Sequence, residues 1–344
     1  MSFSKTQRRS IAIICMLSPL LCAAQKTKLN YVTFTIPGAE STIPISVNNS
    51  MTVTGSYLTR GGGSAEGFVR NAIGDITTFV VPESLQTNPV SINAAGEIAG
   101  SSLDYSANSF GFVRYPNGSI ATFSPGGGHP GITYVQGINN AGTIVGSYAA
   151  AIGLPPIHGY IRCASGEITT FDVPGSDRTQ PALINDAGEV AGIYSSNNYA
   201  HQGAFIRSAD GKITTFPGTP AGINAEGSIV GWLGGGASGQ PFVRSPSGAI
   251  DRLDGVPAPL VYPYMGINET DSIFYNLRSD QQPLVTGNGF LLQLADGTQT
   301  IFQIPGSFIT SATSIHDCDV ITGYYTNLQG YTGFLWMPKA DQPQ

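Results

Sequence analysis

The sequence predicts an all-β fold, a seven-bladed β-propeller of four-stranded antiparallel blades, and three observations lead there. A phrase built of Ile-Asn, two turn residues, Gly and an apolar run ending in Gly returns along the chain, as in GINNAGTIVGSY at Gly137–Tyr148. Its Asn falls at Asn48, Asn93, Asn139, Asn185, Asn224 and Asn268, with His316 in the seventh slot, at spacings of 39 to 48 residues. A period in the forties with four short apolar runs per unit is that of a propeller blade. Composition agrees: charged residues make up 11% of 344, while Gly numbers 44 and Pro 23, which suits short strands joined by tight turns. The third observation lies at the two ends. The last repeat stops after Gly333–Trp336 without a fourth strand, and YVTFTIPG at Tyr31–Gly38 matches the outer-strand phrase ITTFDVPG at Ile168–Gly175. The N-terminal strand is therefore expected to close the ring as the outer strand of the last blade, which removes an open face.

From the N-terminus, residues 1–24 read as a signal peptide. Lys5, Arg8 and Arg9 precede the apolar stretch Ile11–Leu21, and Cys22-Ala23-Ala24 forms a small-residue cleavage site. Leu21 is a poor match to the small residue that precedes a lipidated cysteine, so cleavage after Ala24 is expected and a lipid anchor at Cys22 is not. The chain is expected outside the cell or on its surface, with the periplasm open. One propeller domain should occupy residues 25–338, with 339–344 as a short tail. No later stretch is long and apolar enough for a membrane span. The formal charge of −6 becomes more negative once the basic leader is lost, which excludes the phosphate neutralisation that nucleic-acid binding needs. Cys163 and Cys318 fall in different repeats, so no disulfide is expected and packing must supply the stability.

One repeat shows the elements in order. Strand a is read at Ala182–Asn185, strand b at Glu189–Tyr194, strand c at Gly203–Ser208 and strand d at Lys212–Phe216. Asn185-Asp186-Ala187-Gly188 fits a type I turn closed by a left-handed Gly, the Asn side chain bonding back to the turn amides. The recurring Asn and Gly are thus folding instructions. A Gly also recurs inside strand b, at Gly55, Gly100, Gly146, Gly192, Gly231 and Gly323, where another backbone must come close. Arg70, Arg114, Arg162, Arg207 and Arg244 end strand c in five repeats, and ion pairing between blades or stacking on aromatic rings accounts for them better than an anion site. Three repeats depart from the pattern. Met51 stands where the left-handed Gly belongs, so that turn is expected to change type. Asp271 in the same slot is tolerable, and Tyr275 replaces a mid-strand Gly. The last repeat carries His316-Asp317-Cys318-Asp319.

The combined phrase ITTFDVPG, GINNAGTIVG and HGYIR resembles the bacterial extracellular HAF repeat, found in secreted proteins of expected propeller fold. The likeness runs over essentially the whole chain after the leader. The His-Ala-Phe slot of that family is met by His158-Gly159-Tyr160 and loosely by His201-Gln202-Gly203-Ala204-Phe205. The resemblance implies fold and localisation, and it carries no catalytic assignment.

Chemistry is expected on the face that bears the long b–c and d–a connections, because a rigid scaffold can vary its loops freely. Tyr105, Tyr134, Tyr199, Tyr262, Tyr264 and Tyr331, with Asp104, Asp177 and Arg178, suit a sugar: rings pack on C–H faces while polar groups meet hydroxyls. His129, His158 and His201 fall on adjoining blades of that face and are weak candidates for a general base. Ligand spacings such as HxxxH, EF-hand loops, Walker, GxSxG and zincin motifs are missing, so neither a metal nor a cofactor is expected. The expected function is a monomeric, non-enzymatic module that binds polysaccharide or a surface protein. The alternatives are a polysaccharide lyase or hydrolase using those histidines, and a purely structural matrix repeat.

Overall fold

The computed structural model describes residues 31–338 apart from 62, 127–130, 151–153, 197–200, 235–238, 254–263, 280–285 and 329. The leader and the tail lie outside the described residues. Every regular element among them is a β-strand.

The strands follow one another in antiparallel sets of four. In the third unit Ile132–Ile138, Ile144–Ala149, Ile157–Arg162 and Ile168–Phe171 pair in order. The fourth unit repeats this with Arg178–Ile184, Val190–Ser196, His201–Arg207 and Ile213–Phe216. Its first strand therefore begins at Arg178, ahead of the Ala182 marked from sequence. Pro181 looks like a strand boundary, but the register slips between Pro181 and Leu183, and a bulge takes up the missing amide. The same slip occurs in the first, second, third and fifth units and in the one that begins at Ile309.

That bulge explains the glycine inside the second strand. A Cβ on Gly146 would stand 1.9 Å from the Tyr134 carbonyl oxygen, and one on Gly55 would stand 2.1 Å from that of Ile43. The bulged backbone has taken the space a side chain would need. The sixth unit tests this reading. There Met265–Ile267 pairs with Ser272–Ser279 without a register slip, and the glycine slot is filled by Tyr275, fully buried.

First strands of successive units touch in a closed cycle, Ala39–Val47 reaching both Ser84–Ile92 and Ile309–Ile315. Between units, apolar side chains and one recurring stack make the contact. Arg114 lies 5.0 Å over the Phe79 ring of the unit before it, and Phe79 meets Phe112 edge-on at 6.2 Å. Arg162, Arg207 and Arg244 sit likewise over Phe123, Phe171 and Phe216. Arg70 finds its ring in Phe34, from the N-terminal strand, at 5.0 Å. That strand, Tyr31–Phe34, pairs antiparallel with Gly330–Trp336. Towards the last units the stack is recast. Leu253 and Leu292 replace the ring and the cation in one apolar cluster, and Trp336 stacks on Phe302 at 4.6 Å.

The Asn turns close as expected, and they do more. Asn139 accepts from the amides of Ala141 and Thr143, while its Nδ2 donates to the Asn185 carbonyl of the next unit. Asn48, Asn93, Asn185 and Asn268 donate across in the same way, to Asn93, Asn139, Asn224 and His316. Met51 does not change its turn. It keeps φ 58° and donates to the Asn48 carbonyl at 2.9 Å, because both turn bonds of Asn48 hold the left-handed geometry whatever the side chain. Asp271 and Asp319 share that conformation at φ 59°. Their carboxylates accept from Asn224 and Asn268 of the preceding units, a bond that glycine could not make. Cys163 and Cys318 are not disulfide-bonded.

Candidate functional site

The loop-bearing end separates residues that the sequence grouped. His129, Tyr199 and Tyr262 lie outside the described residues. Asp104 is a hairpin residue. Its carboxylate accepts from the amides of Ser106 and Asn108 and from the Asn108 side chain, and these bonds hold its carboxyl below the usual carboxylate range. Tyr105, at the tip of that hairpin, is 78% exposed. Asp177 bridges two units through its backbone, donating to Ser195 and accepting from Ile157. Its Oδ1 is buried with no hydrogen-bond partner among the described residues. Arg178 opens the first strand of the fourth unit opposite Ser195. Tyr134 is exposed on the first strand of the third unit, where its carbonyl accepts from the Tyr160 hydroxyl.

Tyr264 and Tyr331 are brought together, through a residue the sequence reading missed. Tyr324 lies in the second strand of the last unit, Ile321–Asn327, and its ring centre is 5.5 Å from that of Tyr331 on the third strand. Tyr264 stands just before Met265–Ile267, 56% exposed, and Tyr331 is 46% exposed. Burial raises the Tyr324 phenol above its ordinary value. A bond with Ser311 pulls it down, and the phenols of Tyr264 and Tyr331 raise it further. The support beneath is fixed: Asn276 donates to the Ala312 carbonyl at 2.8 Å and accepts from the Ala312 amide at 2.8 Å. That pair pins the bulged strand that carries Ser311. Two exposed rings, a half-buried third and a hydroxyl thus share one end of two adjoining units. Such a surface offers flat apolar faces with phenolic donors at their edges. A signal existed in the Tyr324-Tyr325 doublet after Gly323, but alternation along the strand alone leaves open which ring faces the opening.

His158 and His201 lie on the third strands of adjoining units. His158 Nδ1 lies 2.8 Å from the Asp172 carboxylate, and its ring is 5.3 Å from that of Tyr148. His201 is exposed at the start of the third strand of the next unit, opposite Ser196. Among the described residues no group of three or more His, Cys, Asp or Glu side chains could hold a metal ion. No helix among them is long and apolar enough to cross a membrane.

These features define a β-propeller, and solved structures carry the same fold. Virginiamycin B lyase from Staphylococcus aureus is 15% identical, with a TM-score of 0.58 over 90% of this chain and 99% of that one. The β-propeller domain of the Trilobed protease from Pyrococcus furiosus, which has an open velcro topology, is 11% identical, with a TM-score of 0.59 over 90% and 96%. Oligogalacturonate lyase from Vibrio parahaemolyticus is 9% identical, with a TM-score of 0.57 over 91% and 98%. No family model and no curated protein matches the chain. At these identities the likeness establishes the fold alone, since propellers host unrelated functions.

Proposed function

We propose that this chain is a secreted seven-bladed β-propeller that recognises polysaccharide through its loop face without catalysis. The Tyr264, Tyr324 and Tyr331 cluster carries the reading. Exposed aromatic rings beside hydroxyl groups suit a sugar's alternating C–H faces and hydroxyls. The blade count is supported by the closed cycle of first strands and by the pairing of Tyr31–Phe34 with the last unit. Export is supported by the leader sequence and by the likeness to HAF repeats. The hydrolase or lyase alternative calls for at least two of His129, His158 and His201 in one pocket with Tyr or Asp partners; His129 lies outside the described residues, and His158 has Asp172 and Tyr148 beside it.

Binding of the mature chain to a glycan array and to insoluble polysaccharides tests this. Tyr331→Ala and Tyr264→Ala should each weaken binding by roughly tenfold, the ~1.4 kcal/mol that a lost aromatic contact is worth. A wild-type chain at background across the array, or a double variant that binds as well as wild type, would overturn it.

A further inference from the structure

A cavity opens on the same end of the molecule, at the third unit, with a volume of ≈ 350 Å³. Its walls are mostly hydrocarbon, from Ile132, Tyr148, Ala149 and Pro156. Ser124 and Thr133 add hydroxyls, and His158 is the nitrogen base among the described lining residues. Three features set what can fit. Among the described residues the lining includes no lysine or arginine, which disfavours a carboxylate or phosphate. A polyhydroxylated sugar would leave most of its hydroxyls facing apolar walls, at a cost of about 1–3 kcal/mol for each one unpaired. The volume stands near the low end of the roughly 300–1,000 Å³ range for small-molecule sites, room for one or two rings and not for a polymer.

The histidine adds direction. Its Nδ1 lies 2.8 Å and 3.1 Å from the two oxygens of Asp172. The Asp172 carboxylate thus fixes the orientation of the ring. A carboxylate there selects the tautomer with hydrogen on Nδ1, which leaves a lone pair on Nε2. Among the described residues Nε2 has no hydrogen-bond partner. With that lone pair free to accept, the neutral ring favours a ligand that brings a donor. The Tyr148 and His158 rings, tilted by 35° with centres 5.3 Å apart, make a partly parallel wall for a flat guest.

We propose that this cavity binds a small phenolic compound, its ring against Tyr148 and its hydroxyl donating to Nε2 of His158. The site is independent of the tyrosine cluster on the last two units and of the polysaccharide reading that rests on it.

Titration of the mature chain with 4-methylphenol, followed by the imidazole nitrogen resonances of its four histidines, tests the proposal. One-to-one saturable binding is expected, with the His158 Nε2 signal moving and that of His201 unmoved. 4-Methylanisole keeps the ring and the oxygen but has no donor, and should bind roughly tenfold more weakly. His158→Ala should weaken 4-methylphenol binding by a similar factor, while Tyr331→Ala leaves it unchanged. Equal affinity for the phenol and the anisole, an unmoved His158 signal, or no saturable binding would each overturn the proposal. The anisole comparison uses the wild-type chain and stands whether or not the variant folds.

Discussion

Gly146 illustrates how closely some single residues are specified. With the Tyr134 carbonyl 1.9 Å from where a Cβ would stand, Gly146→Ala must push two hydrogen-bonded backbones apart. A loss of about 3 kcal/mol in chemical denaturation is expected, the upper part of the usual overpacking range. Gly63, with nothing within 4 Å of its Cβ position, should accept Ala within about 0.5 kcal/mol. Glu269 gives a pH-dependent case. Partial burial at the tight-turn end raises its carboxyl, and Asp317, Asp186 and Glu226 raise it further against the opposing bond from the Ala225 amide. The folded chain thus holds this proton more tightly than the unfolded chain does. Stability from this group is complete below the ordinary carboxylate value of about 4.3 and falls as pH rises through the raised one. Glu269→Gln keeps an acceptor for Ala225, so it should raise Tm at pH 7 and leave it unchanged near pH 3.5. His316 stands where the other units have Asn, yet its Nδ1 accepts from the Cys318 amide at 2.9 Å as an Asn oxygen would. The substitution keeps the turn, and for that reason it was readable as the same slot.

At the scale of the element, the third strand of one unit and the outer strand of the unit before it make the repeating joint. The Arg114 guanidinium covers the Phe79 ring, and burial pushes it down from its ordinary value. A double-mutant cycle on Arg114→Ala and Phe79→Leu should give a coupling of about 1 kcal/mol, in line with a partly desolvated cation on a ring. Additive effects would mean that the pair merely share a neighbourhood. The sequence left these arginines between ion pairing across blades and stacking on aromatic rings, and it did not say which rings. The partners sit one unit apart in sequence, so only the packing of unit on unit could match them. The bulges were likewise hidden. A proline inside a strand reads as a boundary, and only the pairing register shows it absorbed at a bulge on the inner edge.

For the whole molecule, the N-terminal strand is the element whose removal tells most. Phe34 and Ile36 are buried in a cluster with Val53, Phe68 and Leu335, and Phe34 alone should cost about 3 kcal/mol on truncation to Ala. Deleting residues 31–36 should lower Tm well beyond Phe34→Ala and expose the edge of Gly330–Trp336 to self-association. Light scattering and thermal melts would register both. An unchanged Tm would contradict the strand's part in closing the ring.

The site was less legible than the fold. Tyr264 and Tyr331 stand out by composition and loop position, but Tyr324 lies inside a strand, where sequence alone does not single it out. Asp172 belongs to the outer-strand phrase and Tyr148 to the second-strand phrase, so neither stands out from the repeat. The fold repeats its instructions in every unit, and repetition is visible in one dimension. A site is assembled once, from residues on different units, and leaves no period behind.

By itself the sequence determined the all-β class, the length of the unit, the turns that end its strands and the match between its two ends. Turn and strand preferences are local, so each was written within a few residues and then repeated. Only the tertiary structure decided which ring each arginine covers, how each Asn reaches the next unit, and which tyrosines share an opening. Those contacts join residues dozens of positions apart, and they exist because apolar faces of neighbouring sheets must be buried against each other.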